Sequence, residues 1–132
     1  AQLGAPDMRI PIQLALTYPH RQPSPAKPLD LLTCGDLTFA PPDLERFPCL
    51  GMAMDVAKTG GTACAVLNGA NEAAVAAYLD DRIGFYDISD GIAAALDAVP
   101  TSQDTALEAA LEADRLARAA AAAYFRRIGK VI

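Results

Sequence analysis

The sequence has no tryptophan, a single histidine and three cysteines, and each scarcity removes a class of function. His20 has no acidic or cysteine neighbour at ligand spacing, which argues against a metal role for it. Cys34, Cys49 and Cys64 are odd in number and contain no CxxC pair. They read as three small, partly buried hydrophobes in a reducing compartment rather than as a disulfide frame or a reactive thiol. Basic charge is also short, with 11 Lys and Arg against 16 Asp and Glu and a net charge of −5. That leaves no basic footprint for nucleic acid. No apolar run approaches the roughly 20 residues that span a bilayer. There is no GxGxxG, and the spacing of Gly60-Gly61 and Gly69 fits helix ends and close helix packing instead.

What the chain has in quantity is alanine and, in one region only, proline. The 132 residues are 52% hydrophobic, enough for one domain with a core, or a domain with an appendage. Alanine buries little area per residue, so the core is expected to be thin and made of closely approaching helices. Nine of the ten prolines lie in residues 1–48, and only Pro100 comes later. The chain therefore divides into an extended leader and a helical body.

In the leader, residues 8–16 mix branched apolar side chains with Pro11. An edge strand interrupted at Pro11 and a short helix from Pro11 to Thr17 are equally compatible with that pattern. Pro19 to Pro28 reads as an extended linker, and Leu37-Thr38-Phe39 as one short strand before Pro41-Pro42. The body predicts four helices. The first runs from Cys49 to Thr59 and stops at Gly60-Gly61. The second presents Ala63, Val66, Leu67, Ala70, Ala74, Ala77 and Tyr78 on one face, with Val75 and Leu79 as a second flank, and is expected to be central. A third starts after Asp87 or Ser89 as N-cap, aligns Ile88, Ile92, Leu96 and Val99, and ends at Pro100. The fourth spans Thr105 to Arg127. Its apolar residues change phase, with Leu107, Ala110 and Leu111 on one face and Ala113, Leu116, Ala117, Ala120 and Tyr124 on another. A break or bend near Glu112 is the expected consequence. Asp114 and Arg118 form a favourable i, i+4 pair.

Two motifs stand out. In Pro6-Asp7-Met8-Arg9, the proline and methionine offer no acid–base or metal chemistry but do offer apolar, shape-defining surface for a flat ring. Asp7 and Arg9 read as a local ion pair or turn polarity. In Asn68-Gly-Ala-Asn71-Glu72, Asn68 and Glu72 are helical neighbours. Asn71, nearer the apolar face, is expected to be buried and to tie its helix to a neighbour. Glu72 alone is a poor metal ligand.

The ordered series Gly4-Ala5-Pro6-Asp7-Met8-Arg9-Ile10-Pro11-Ile12, Lys27-Pro28-Leu29-Asp30, Leu37-Thr38-Phe39, Phe47-Pro48-Cys49-Leu50 and Leu67-Asn68-Gly69-Ala70-Asn71-Glu72 resembles the C-terminal third of the 1-deoxy-D-xylulose 5-phosphate reductoisomerases. The resemblance runs from about residue 1 to residue 118. It implies a mostly α fold: a small four-helix bundle-like domain over 44–132, preceded by a linker over 18–43 and by residues 1–17 as the remnant of an α+β catalytic domain. The parent activity it implies is isomerisation and reduction of a sugar phosphate with NADPH and Mg or Mn, in non-mevalonate isoprenoid synthesis. Carried over residue by residue, Pro6 and Met8 become walls of the substrate and cofactor pocket near the nicotinamide. No catalytic residue and no metal ligand is carried over, because those acids and the phosphate-binding residues belong to upstream parts of the family. This chain alone is accordingly expected to bind neither NADPH nor metal and to be inactive. The implied setting is cytoplasmic. The implied partners are a second copy in a homodimer and the NADPH-binding and catalytic domains, with no nucleic acid and no membrane. The apolar leader side chains Ile10, Ile12, Leu14 and Leu16 suggest self-association through residues 1–40. Two other readings remain: a free-standing helical interaction module, and a subunit complementing a separate N-terminal part.

Overall fold

A computed structural model describes residue 4 and residues 6–130. Among these residues there are five helices and no strand: α1 (Arg9–Thr17), α2 (Pro48–Thr59), α3 (Ala63–Leu79), α4 (Phe85–Ala98) and α5 (Leu107–Arg127). The chain separates into two compact units, residues 1–41 and 42–132. The first holds α1 and the proline-rich segment after it. The second holds α2 to α5.

In the first unit the open choice between strand and helix resolves to helix. Pro11 is the third residue of α1, inside the first turn, where a backbone N–H has no intrahelical acceptor to lose. The short strand expected at Leu37-Thr38-Phe39 does not form, and that segment is irregular. No neighbouring strand offers it a ladder, and Phe39 stays 89% exposed.

In the second unit local chemistry sets the helix ends. Pro48 opens α2, and Gly60, at φ +69°, closes it with its N–H on the Val56 carbonyl. α4 begins at Phe85, ahead of the expected caps. Asp87 is not its N-cap but the third helical residue, and its carboxylate accepts the Gly84 N–H at 2.7 Å. Ser89 is buried, and its hydroxyl donates to the Tyr86 carbonyl at 2.8 Å. α3 ends on a left-handed residue that is not glycine. Asp81, at φ +57°, donates its N–H to the Tyr78 carbonyl, while Arg82 donates to that of Ala77. This is the paired closure of a Schellman end.

The core lies between α3, α4 and α5, with α2 packed on α3 and α4. α3 contributes Val66, Ala70, Ala74 and Ala77, α4 contributes Ile88, Ile92 and Ala95, and α5 contributes Ala113, Ala117, Ala121 and Phe125. Small side chains in rows let the helices approach closely. Glycine takes this furthest at Gly91, where a Cβ would stand 2.4 Å from the Phe125 ring.

Several expected positions shift. On the main face of α3, Leu67 is only half-buried and Tyr78 is 38% exposed; on the second flank Val75 is half-buried and Leu79 is 74% exposed. α5 runs unbroken through Glu112, which pairs with Arg115 at 2.6 Å. No bend is needed because Leu107 and Leu111 never reach the core and stay 67% and 61% exposed. Phe125, at 1% exposure, is the aromatic residue at the centre of the core, while Tyr124 is half-buried and packs against its edge. The cysteines are also more exposed than expected: Cys34 and Cys64 lie on the surface and only Cys49 is half-buried.

Charge links α3 to α5 beside the core. Arg118 donates to Asp114 at 2.7 Å within α5 and to Glu72 of α3 at 2.5 Å. Asn68 donates to the other Glu72 oxygen at 3.2 Å. Asn71, expected to be the tie, is half-buried and makes no side-chain hydrogen bond among the described residues. Its role falls to Glu72. Hydrogen bonds from Arg118 hold the Glu72 and Asp114 carboxyls below their ordinary range.

Three outcomes are expected from this packing. Phe125→Ala costs about 3–5 kcal/mol, and Gly91→Ala costs about 1–3 kcal/mol by overpacking the same spot, whereas the half-buried Leu67→Ala costs less than Phe125→Ala. Denaturant melts of the three variants check that order. Asp81→Gly raises stability by up to about 1 kcal/mol by removing the Cβ from a left-handed backbone, read as a higher melting temperature. The lowered carboxyls mean that the folded state binds fewer protons than the unfolded one. Their contribution is present above the unfolded pKa and is lost as pH falls through the lower folded values. Acid titrations are therefore expected to show Arg118→Ala unfolding at a higher pH than the parent chain.

Candidate functional site

The leader motif folds into a tight turn at the head of α1. Pro6 fixes its own φ by its ring. Beyond it the Asp7 carboxylate turns back onto the helix start and accepts the Arg9 backbone N–H at 3.0 Å. The Arg9 side chain closes over the same carboxylate, with Nε at 2.9 and 3.0 Å and the terminal nitrogen at 2.5 Å. The Asp7 carbonyl accepts the Ile10 N–H, and the Met8 carbonyl accepts that of Ile12. Met8 sits between these tied residues in helical conformation, at φ −64° and ψ −17°. Its side chain is 71% exposed.

The proline-rich segment then folds back onto α1. Gln13 donates its amide to the Pro23 carbonyl at 2.8 Å, and the Thr17 hydroxyl bonds the carbonyls of Gln13 and His20. Ala26 is buried at this return. The fold-back leaves an open concavity lined by Pro6, Asp7, Met8, Gln13, Arg21 and Lys27, among others. Both residues singled out from the sequence, Pro6 and Met8, therefore lie on one concave surface.

The chemistry available there is that of a wall. Asp7 is the one carboxylate in its lining, and the hydrogen bonds from the Arg9 side chain and backbone hold its pKa at about 2. A carboxylate so committed stays ionised at neutral pH and does not act as a general acid or base there. Arg21 and Lys27 add positive charge to a lining that mixes apolar side chains with Gln13, Gln22 and Ser24. Among the described residues no group of three His, Cys, Asp or Glu side chains converges to hold a metal ion.

Two pieces of this arrangement differ in how far the sequence revealed them. The Asp7–Arg9 pair follows from opposite charges two residues apart at a helix start. The facing of Arg21 and Lys27 toward Pro6 and Met8 had no sequence signal, because it depends on the Gln13–Pro23 hydrogen bond that folds the segment back.

Comparison with known proteins bears on what such a wall belongs to. Residues 3–120 match the family described as the DXP reductoisomerase C-terminal domain. A 1-deoxy-D-xylulose 5-phosphate reductoisomerase of Pseudomonas syringae pv. syringae is 50% identical over 130 residues, which is 98% of this chain and 33% of that protein. One from Bacillus thuringiensis subsp. konkukian is 52% identical over 118 residues, covering 89% of this chain and 31% of the relative. The fold is similar to the Zymomonas mobilis reductoisomerase solved with NADPH, with a TM-score of 0.84 and 45% identity over 93% of this chain and 32% of that one. It is similar also to a DOX-P reductoisomerase solved with fosmidomycin and magnesium, with a TM-score of 0.86 and 40% identity over 96% of this chain and 34% of that one. The chain thus spans about a third of the length of the relatives it matches. No helix among the described residues is long and apolar enough to cross a membrane. On the match across residues 3–120, the chain belongs to the DXP reductoisomerase C-terminal domain family.

Proposed function

We propose that this chain works as the C-terminal portion of a reductoisomerase that converts 1-deoxy-D-xylulose 5-phosphate to 2-C-methyl-D-erythritol 4-phosphate, using NADPH and a divalent metal, magnesium or manganese. The observation that carries the reading is half-identity to reductoisomerases across nearly the whole chain. In it, residues 1–17 complete the catalytic domain, 18–43 cross to the helical domain, and 44–132 brace the other two domains. Pro6 and Met8 form part of the pocket wall near the nicotinamide. The metal, the phosphate and the dinucleotide are held by other parts of the enzyme, so no chemical step is assigned to a residue here. The setting is cytoplasmic and the assembly a homodimer.

Exposed apolar side chains in the leader support this assignment. Ile12 and Leu16 stand four residues apart along α1 and are 52% and 82% exposed, while α1 has no buried residue at all. A helix of this kind has its apolar stripe available to further polypeptide.

Joining this chain to the N-terminal two-thirds of the Pseudomonas syringae relative is expected to give substrate-dependent oxidation of NADPH. The isolated chain is expected to give neither turnover nor a calorimetric signal with NADPH or Mg²⁺. Micromolar binding of either ligand by the isolated chain would contradict the division of labour proposed here.

A further inference from the structure

Asp7 and Arg9 flank Met8 on either side and are joined across it by four hydrogen bonds. The ion pair itself adds little stability. The Arg9 side chain is 62% exposed, and ion pairs in that setting contribute little because solvent screens them and two side chains must be ordered. Geometry accounts for it better. One carboxylate oxygen accepts both the Arg9 backbone N–H and Nε, and the other accepts Nε and the terminal nitrogen. The result is a short closed loop with Met8 at its apex. The Asp7 carbonyl is tied as well, to the Ile10 N–H at 3.2 Å. Both residues beside Met8 are therefore fixed through side chain and backbone together. Met8 itself makes no side-chain cap on α1, and its thioether is left free to meet a ligand.

We propose that Asp7 and Arg9 are positioning residues for Met8. Their ion pair fixes the turn that aims the Met8 side chain at the flat ring bound in the pocket. The proposal rests on the reading of Met8 as pocket wall given above. Methionine has three rotatable bonds and adapts its shape to what it touches, so the position of its Cα decides which part of the ring it reaches. An error of about 1 Å in placing reacting groups is enough to cost a large rate factor. The clamp sets that position without contacting the ring.

The test uses a full-length reductoisomerase that carries this chain as its C-terminal third. Asp7→Ala, Met8→Ala, the double variant and Asp7→Asn are compared for kcat, for KM toward NADPH and for melting temperature. Asp7→Ala is expected to lower kcat about ten-fold through misplacement, with little change in KM or melting temperature. Adding Asp7→Ala to Met8→Ala is expected to have no further effect, because Asp7 acts through Met8. Asp7→Asn keeps an acceptor for the Arg9 N–H and is expected to recover part of the loss. A kcat that falls only in step with the melting temperature overturns the proposal, as does full additivity of Asp7→Ala with Met8→Ala. Unchanged kinetics in Met8→Ala overturns the pocket-wall reading itself, and the clamp with it.

Discussion

The helical unit depends on how closely three helices can approach one another. Ala70 and Ala74 on α3, Ala95 on α4, and Ala117 and Ala121 on α5 are all fully buried. Each contributes a single methyl group, so the stabilisation per residue is small. Dispersion falls steeply with separation, and such a core holds only if the backbones are near. Gly91 beneath the Phe125 ring is one place where that closeness is visible. Gly69 is another, where a Cβ would stand 2.6 Å from an Asp114 carboxylate oxygen.

The same closeness explains the polar arrangement at the edge of the core. With α3 and α5 so near, Glu72 and Asp114 reach one guanidinium, that of Arg118. One guanidinium serves both acids at the edge of the core and offsets the repulsion between them. A second tie works at the other side of the unit. Thr62 and Ser102 exchange hydrogen bonds, N–H to carbonyl and N–H to hydroxyl, each at 2.9 Å. Gln103 adds a bond to the Thr59 carbonyl at 3.3 Å. The loop before α5 is thereby stitched to the turn before α3.

How much of this could be read from the residues depended on how distinctive the residues were. Pro48, Gly60-Gly61 and Pro100 marked helix ends that the structure reproduces within a residue or two, because backbone restriction acts locally. α4 was dated late because Asp87 caps from inside the helix, over a Gly84 that has no side chain. α5 was misread for a different reason. A break near Glu112 follows only if Leu107 and Leu111 must be buried, and periodicity alone does not say that this apolar face stays on the surface. Asn71 was misplaced because an angle on a helical wheel does not say which neighbour carries a complementary group. In the leader, Asp7 and Arg9 were legible as a pair. Pro6 and Met8 have no chemistry that names a ligand, and their assignment came from resemblance alone.

Alanine spacing along α5 has a consequence for register. Residues 109, 113, 117 and 121 are all alanine and stand four apart, about one turn. Sliding α5 past its neighbours by one turn would set methyl against methyl again over most of the row. A ladder of identical rungs does not count its own steps. The features that are not repeated must do so: the Phe125 ring over Gly91 at one end, and the Arg118 guanidinium reaching Glu72 further up. Each is lost if α5 moves a single turn. The unit therefore owes its cohesion to its most repetitive residues and its alignment to its least repetitive ones.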